Sequence, residues 1–138
     1  MAEYKAELIK VVEEKDHGVY EVWANPAPSS SYAAQTLQVT TGKTFDSFIY
    51  ECGDGTNSRA TIVGEANASA IPTYATIGGD GLINVFSRTI TPSKTANGYD
   101  LVISDCTRRR RNNDGTITDS TQNGTLIPIR IYGIVHND

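Results

Sequence analysis

The sequence predicts an all-β domain, a β-sandwich or jelly roll of about seven to eight antiparallel strands behind a short N-terminal arm. Three observations carry that prediction. Short apolar runs recur along the chain, and Gly, Ser, Thr, Asn and Ala fill the intervals between them. No stretch of helical periodicity follows residue 17. The closing segment, residues 126–135, alternates cleanly: Ile127, Ile129, Ile131, Gly133 and Val135 fall on one face, and Leu126, Pro128, Arg130, Tyr132 and Ile134 on the other. The first set is expected in the core. Pro128 has no ladder donor, so an edge position or a locally unpaired amide is expected there.

Residues 1–17 form the arm, distinct in composition from the domain at 18–138. Tyr4, Leu8, Val11 and Val12 recur at helical spacing among Glu and Lys, whereas Ile9 and the Val11-Val12 pair also fit a strand. Both forms stay open. Gly18 suits the end of that segment.

Seven strands are expected beyond it. The first, 18–24, ends at Asn25-Pro26-Ala27-Pro28, whose prolines enforce an extended path. The second, 35–41, places Leu37 and Val39 inward, and the third, 45–52, follows at hairpin distance. Gly53-Asp54-Gly55-Thr56-Asn57 is turn chemistry, leading to a short fourth strand at 59–64. Residues 65–81, rich in small residues and containing Pro72, read mostly as loop. Strands at 82–91, 98–106 and 126–135 complete the set, with a polar stretch at 107–125.

The 138 residues suit one domain, and the formal charge of −4 opposes a general affinity for nucleic acid or anionic membranes. No apolar run approaches the roughly 18 residues that cross a bilayer, and the N-terminus lacks the pattern of a secretory signal. The expectation is a soluble protein made in a cytoplasm, with Cys52 and Cys106 buried and reduced rather than paired.

Few constellations suggest chemistry, and no catalytic residue, metal site or cofactor is expected. His17 and His136 lie near the ends of the domain, and no Gly-x-Ser-x-Gly turn accompanies them. Asn112-Asn113-Asp114-Gly115 resembles a calcium loop only superficially, because Arg110 replaces its first acid; an Asx-Gly turn fits better. Glu51, Asp100 and Asp105 sit on expected strands, where a glycosidase pair would require them to converge.

The strongest charge feature is Arg108-Arg109-Arg110-Arg111. Four adjacent cations call for nearby anions, with Asp105, Asp114, Asp119 or another subunit as candidates. On a strand, two of the four alternate outward even without a ligand. The functional alternative is a grip on an acidic surface polymer through planar guanidinium groups. Tyr32 and Tyr74, in loop-like sequence, are the candidate stacking partners; Trp23 reads as core.

One segment carries a resemblance. Trp23-Ala24-Asn25-Pro26-Ala27-Pro28-Ser29-Ser30-Ser31-Tyr32-Ala33-Ala34-Gln35-Thr36 resembles a Trp-x-Asn-Pro-x-Pro-x-Ser-x-aromatic-Ala-x-Gln-Thr segment of tail-fibre-like and other virion proteins of tailed bacteriophages and prophages. Residues 127–134 resemble a C-terminal segment of the same proteins. Ala24 and Ala27 depart from the commoner Thr and Asn. The resemblance implies a non-catalytic component of the virion, assembled in the host cytoplasm as a homotrimeric β-rich knob. Its arm would hold other virion proteins and its loops a host-surface glycan, as a tail-fibre or tip adhesin; a capsid decoration protein is the alternative. It transfers no binding residues, because the shared pattern marks the scaffold.

Overall fold

The computed structural model describes residues 18–55 and 57–136, so the arm at 1–17 lies outside the described residues. Eleven strands occur among the described residues: β1 (Gly18–Ala24), β2 (Gln35–Thr40), β3 (Ser47–Asp54), β4 (Asn57–Glu65), β5 (Thr73–Ile77), β6 (Ile83–Ser87), β7 (Ile90–Thr95), β8 (Gly98–Ile103), β9 (Thr107–Arg111), β10 (Ile117–Thr121) and β11 (Ile127–Val135). They form three antiparallel sheets, in the orders β1-β11-β3-β4, β2-β8-β7 and β10-β9-β6-β5. The all-β, sandwich-like prediction therefore holds, with more strands than the seven or eight expected.

The first two sheets share the core. Phe48 and Tyr50 of β3 meet Tyr99, Leu101 and Ile103 of β8, and the Phe48 and Tyr99 rings stand edge to face at 5.1 Å. Alternation drives this packing, since each strand offers every second side chain to the facing sheet. On β11, Ile127, Ile129, Ile131, Gly133 and Val135 are all buried, as their spacing predicts. At Gly133 the ring of Phe45 occupies the place of a side chain, within 2.5 Å of where a Cβ would stand. Pro128 is not at an edge, because β11 runs between β1 and β3. Its missing donor is accommodated instead by a register shift between Pro128 and Arg130 on the β3 side.

Several expectations are amended. Residues 65–81, mostly loop as expected, also contain one unexpected strand, since Thr73–Ile77 pairs along its length with Ile83–Ser87. The polar stretch after Cys106 contains β9 and β10; Thr, Ile and Arg give such strands no apolar face to mark them. The single strand expected at 82–91 divides at Arg88, whose side chain turns into the body and breaks the alternation. Tyr32 is a core residue at 7% exposure, so its ring does not lie open on a loop, and Tyr74 lies on β5 rather than in a loop.

The third sheet joins the body through its base, where Thr73, Ser87, Thr107 and Thr121 share one cross-strand row. Arg88 clasps that junction. Its Nη1 donates to the carbonyls of Tyr32 and Ser104, both at 2.9 Å, and its Nη2 to those of Asn123 and Thr125 at 3.3 and 3.2 Å. Asp105 braces the same loops by accepting from the Ala34 amide and the Asn123 side chain, both at 2.8 Å. Its carboxyl is held below the usual range first by the Ala34 backbone N–H, then by the Asn123 side-chain amide. No helix among the described residues is long and apolar enough to cross a membrane.

Candidate functional site

β9 lies inside the third sheet, between β6 and β10, so its four arginines divide by parity between the two faces. Arg108 and Arg110 are half-buried on one face; Arg109 and Arg111 are exposed on the other. The run is therefore not one cationic patch.

On the first face, Arg108 stands in a cross-strand row with Phe86, Tyr74 and Ser120. The Tyr74 and Phe86 rings stack at 6.1 Å with 25° between their planes. Arg59 of β4 brings its guanidinium carbon to 5.9 Å from the Tyr74 centroid and is itself held by Asp54 at 3.2 Å. The row thus reads guanidinium, two rings, guanidinium, hydroxyl. Arg110, one row further out, pairs with Asp80 at 2.8 Å. Arg108 forms no ion pair among the described residues and keeps a free charge beside the rings.

The buried polar atoms on this face are informative. Arg108 Nε, Ser120 Oγ, Arg110 Nε and Asn84 Oδ1 have no hydrogen-bond partner among the described residues. Each donor faces an acceptor directly across the ladder, Arg108 opposite Ser120 and Arg110 opposite Asn84. One bridging water per pair would satisfy them at little cost.

The second face has different chemistry. Ile77, Ile83, Arg111 and Ile117 form one row across all four strands, and the isoleucines are 76%, 45% and 57% exposed. In the next row, Arg109 makes a two-pronged bond to Asp119, with both contacts at 2.9 Å. That bond pushes the Arg109 pKa up and the Asp119 pKa down. Asp119, anticipated as a counter-ion, serves Arg109; Asp80, which was not anticipated, serves Arg110; Asp105 and Asp114 are engaged elsewhere. Asp114 accepts from the Thr116 amide at 2.9 Å, closing the expected Asx turn between β9 and β10.

Of the sequence-predicted residues, the structure brings Tyr74, Arg108 and Arg110 to one face and sends Arg109 and Arg111 to the other. Tyr32 joins neither. It packs edge to face on Trp23 at 6.1 Å, under the Arg88 guanidinium. The possible carboxylate pair does not converge: Glu51 points out of the first sheet and Asp100 out of the second, on opposite sides of the sandwich. Sequence reasoning missed Phe86 and Arg59, which become neighbours of Tyr74 only through pairing of distant strands. No protein-family model, curated protein or solved structure matches the chain.

Proposed function

We propose that the protein is a non-catalytic virion component of a tailed bacteriophage or prophage, a tail-fibre or tip domain that contacts an anionic host-surface glycan. In this reading a homotrimeric knob, jelly-roll in type, presents the third sheet outward, while residues 1–17 engage other virion proteins. The observation that carries the reading is the single row Tyr74, Phe86, Arg108. Stacked rings suit the apolar faces of sugar rings, and an unpaired guanidinium suits a phosphate or carboxylate on the same polymer. The resemblance of residues 23–36 and 127–134 to virion proteins supports the setting. The test of setting is gold-labelled antibody on intact particles of the parent phage. Label at the tail tip fits the adhesin; particles without label overturn the virion reading altogether.

A second reading, a capsid decoration protein, is favoured by the row of exposed isoleucines on the opposite face. An apolar strip of that kind suits a contact between proteins better than one with polysaccharide. Label spread over the head would select it.

A further inference from the structure

The outer face of the first sheet carries an apolar patch that the described residues leave open. Register places Val19, Ile134 and Ser47 in one cross-strand row, and Glu21, Tyr132, Ile49 and Val63 in the next. These side chains point away from the core, since Gly133, which alternates with them on β11, faces Phe45 inside. Val19 and Val63 are each more than half exposed, and Ile49, Tyr132 and Ile134 are half-buried between them. The patch thus crosses the sheet from β1 to β4, three strand spacings or about 14 Å. Charge is confined to its rim, where Glu21 pairs with Arg130 at 3.8 Å and Glu65 ends the first row.

Chain connectivity supplies an occupant. Residues 1–17 join this sheet at Gly18, directly before Val19 and so at one end of the patch. Gly18 has φ +137°, which glycine adopts readily and other residues rarely, so the preceding chain need not continue the line of β1. Lys15, Asp16 and His17 together span about 10 Å when extended, the separation of a sheet from a layer packed on it. Before them, Tyr4, Leu8, Val11 and Val12 share one side at helical spacing, over about 12 Å from first to last. That length matches the crossing from Val19 to Val63. Covalent attachment also sets a local concentration of about the millimolar range, so below it the chain's own segment outcompetes that of a second copy.

We propose that residues 1–17 dock on the outer face of the first sheet of their own chain, with Tyr4, Leu8, Val11 and Val12 over the patch from Val19 to Val63. The contact removes two apolar surfaces from water at once. A virion protein that engages residues 1–17 then competes with this face. The inference rests neither on the Arg108 row nor on the virion reading.

The test attaches a nitroxide spin label to the full chain through Ala6→Cys and reads the amide NMR signals. At helical spacing, position 6 lies opposite the side shared by Tyr4 and Leu8, so the label stays clear of the contact. Cys52 and Cys106 are buried, which leaves the new thiol as the labelling site. The signals of Ile49, Val63, Tyr132 and Ile134 should broaden, while those of Arg109 and Ile117 on the third sheet keep their intensity. Leu8→Glu in the segment, or Val63→Lys on the exposed face, should each restore the lost intensity without moving the core amides of Leu101 and Ile103. Full intensity across the patch, or broadening that survives both substitutions, would overturn the proposal. Mixing the labelled chain with an isotope-enriched chain that lacks the label checks the remaining occupant. Broadening carried to the enriched chain would assign the face to a neighbouring copy's segment, and so would equally overturn docking within one chain.

Discussion

Arg88 Nη1 donates to the main-chain carbonyl of Tyr32 at 2.9 Å while the guanidinium lies 5.6 Å from the centre of the Tyr32 ring. One buried cation thus fixes both the backbone and the side chain of the loop between β1 and β2. It is 1% exposed and is neutralised by carbonyl dipoles, with no carboxylate in contact among the described residues. Burial lowers its pKa from the ordinary value. A guanidinium suits this site because its planar fork reaches several acceptors at once.

Arg88→Ala should therefore destabilise the domain by on the order of 3 kcal/mol or more, since four carbonyls lose their donor. Arg88→Lys should recover only part, because one ammonium cannot span both pairs. Urea unfolding measures both. A loss under about 1 kcal/mol for Ala would show that water replaces the clasp.

This clasp also marks where the sequence stops being legible. The core face of β11 could be read from Ile127 to Val135 because alternation alone selects it. Leu37 and Val39 of β2 followed the same rule. Arg88 could not be read, since an arginine inside an alternating run looks like an outward-facing residue. β5, β9 and β10 were missed because their residues are stabilised by cross-strand partners, not by an apolar stripe. At the candidate site, parity allowed two arginines of the run to point each way, but the meeting of Tyr74 with Arg108 depends on β6 lying between their strands.

Gly133→Ala should destabilise by about 1–3 kcal/mol, because the added methyl would overlap the Phe45 ring. Phe45→Leu in the same chain should return part of that loss. Thermal melting of the two single variants and the double variant gives the coupling. Strict additivity would show that the contact is not the cause.

Acid should destabilise the fold through Asp105, Asp114 and Asp119. All three have carboxyl pKa values held below the ordinary 3.8, by bonds from Ala34, Thr116 and Arg109 respectively. A lowered folded pKa means that the contribution is complete above 3.8 and is lost as pH falls through the folded values. Melting temperature should therefore fall below about pH 4, and Asp119→Asn should flatten the fall. An unchanged profile in that variant would remove Asp119 from the account.

Base should act through Cys52. Burial pushes its thiol from 9.0 up to about 12, so its contribution is complete below the first value and disappears as pH rises toward the second. In the native protein at mildly alkaline pH, neither Cys52 nor Cys106 should react with a thiol reagent, while both should react in urea. Rapid labelling of the native chain would contradict the buried placement.

The most direct test of the proposed function compares binding of four chains to one immobilised anionic probe, a glycerol-phosphate polymer bearing sugar substituents, at low salt. The wild type and Arg109→Ala should bind alike, because Arg109 is spent on Asp119 on the opposite face. Arg108→Ala and Tyr74→Ala should each bind about tenfold more weakly, with melting temperatures showing that both remain folded. Equal binding by all four chains, or a loss confined to Arg109→Ala, would contradict the assignment of the Tyr74, Phe86 and Arg108 row as the contact surface.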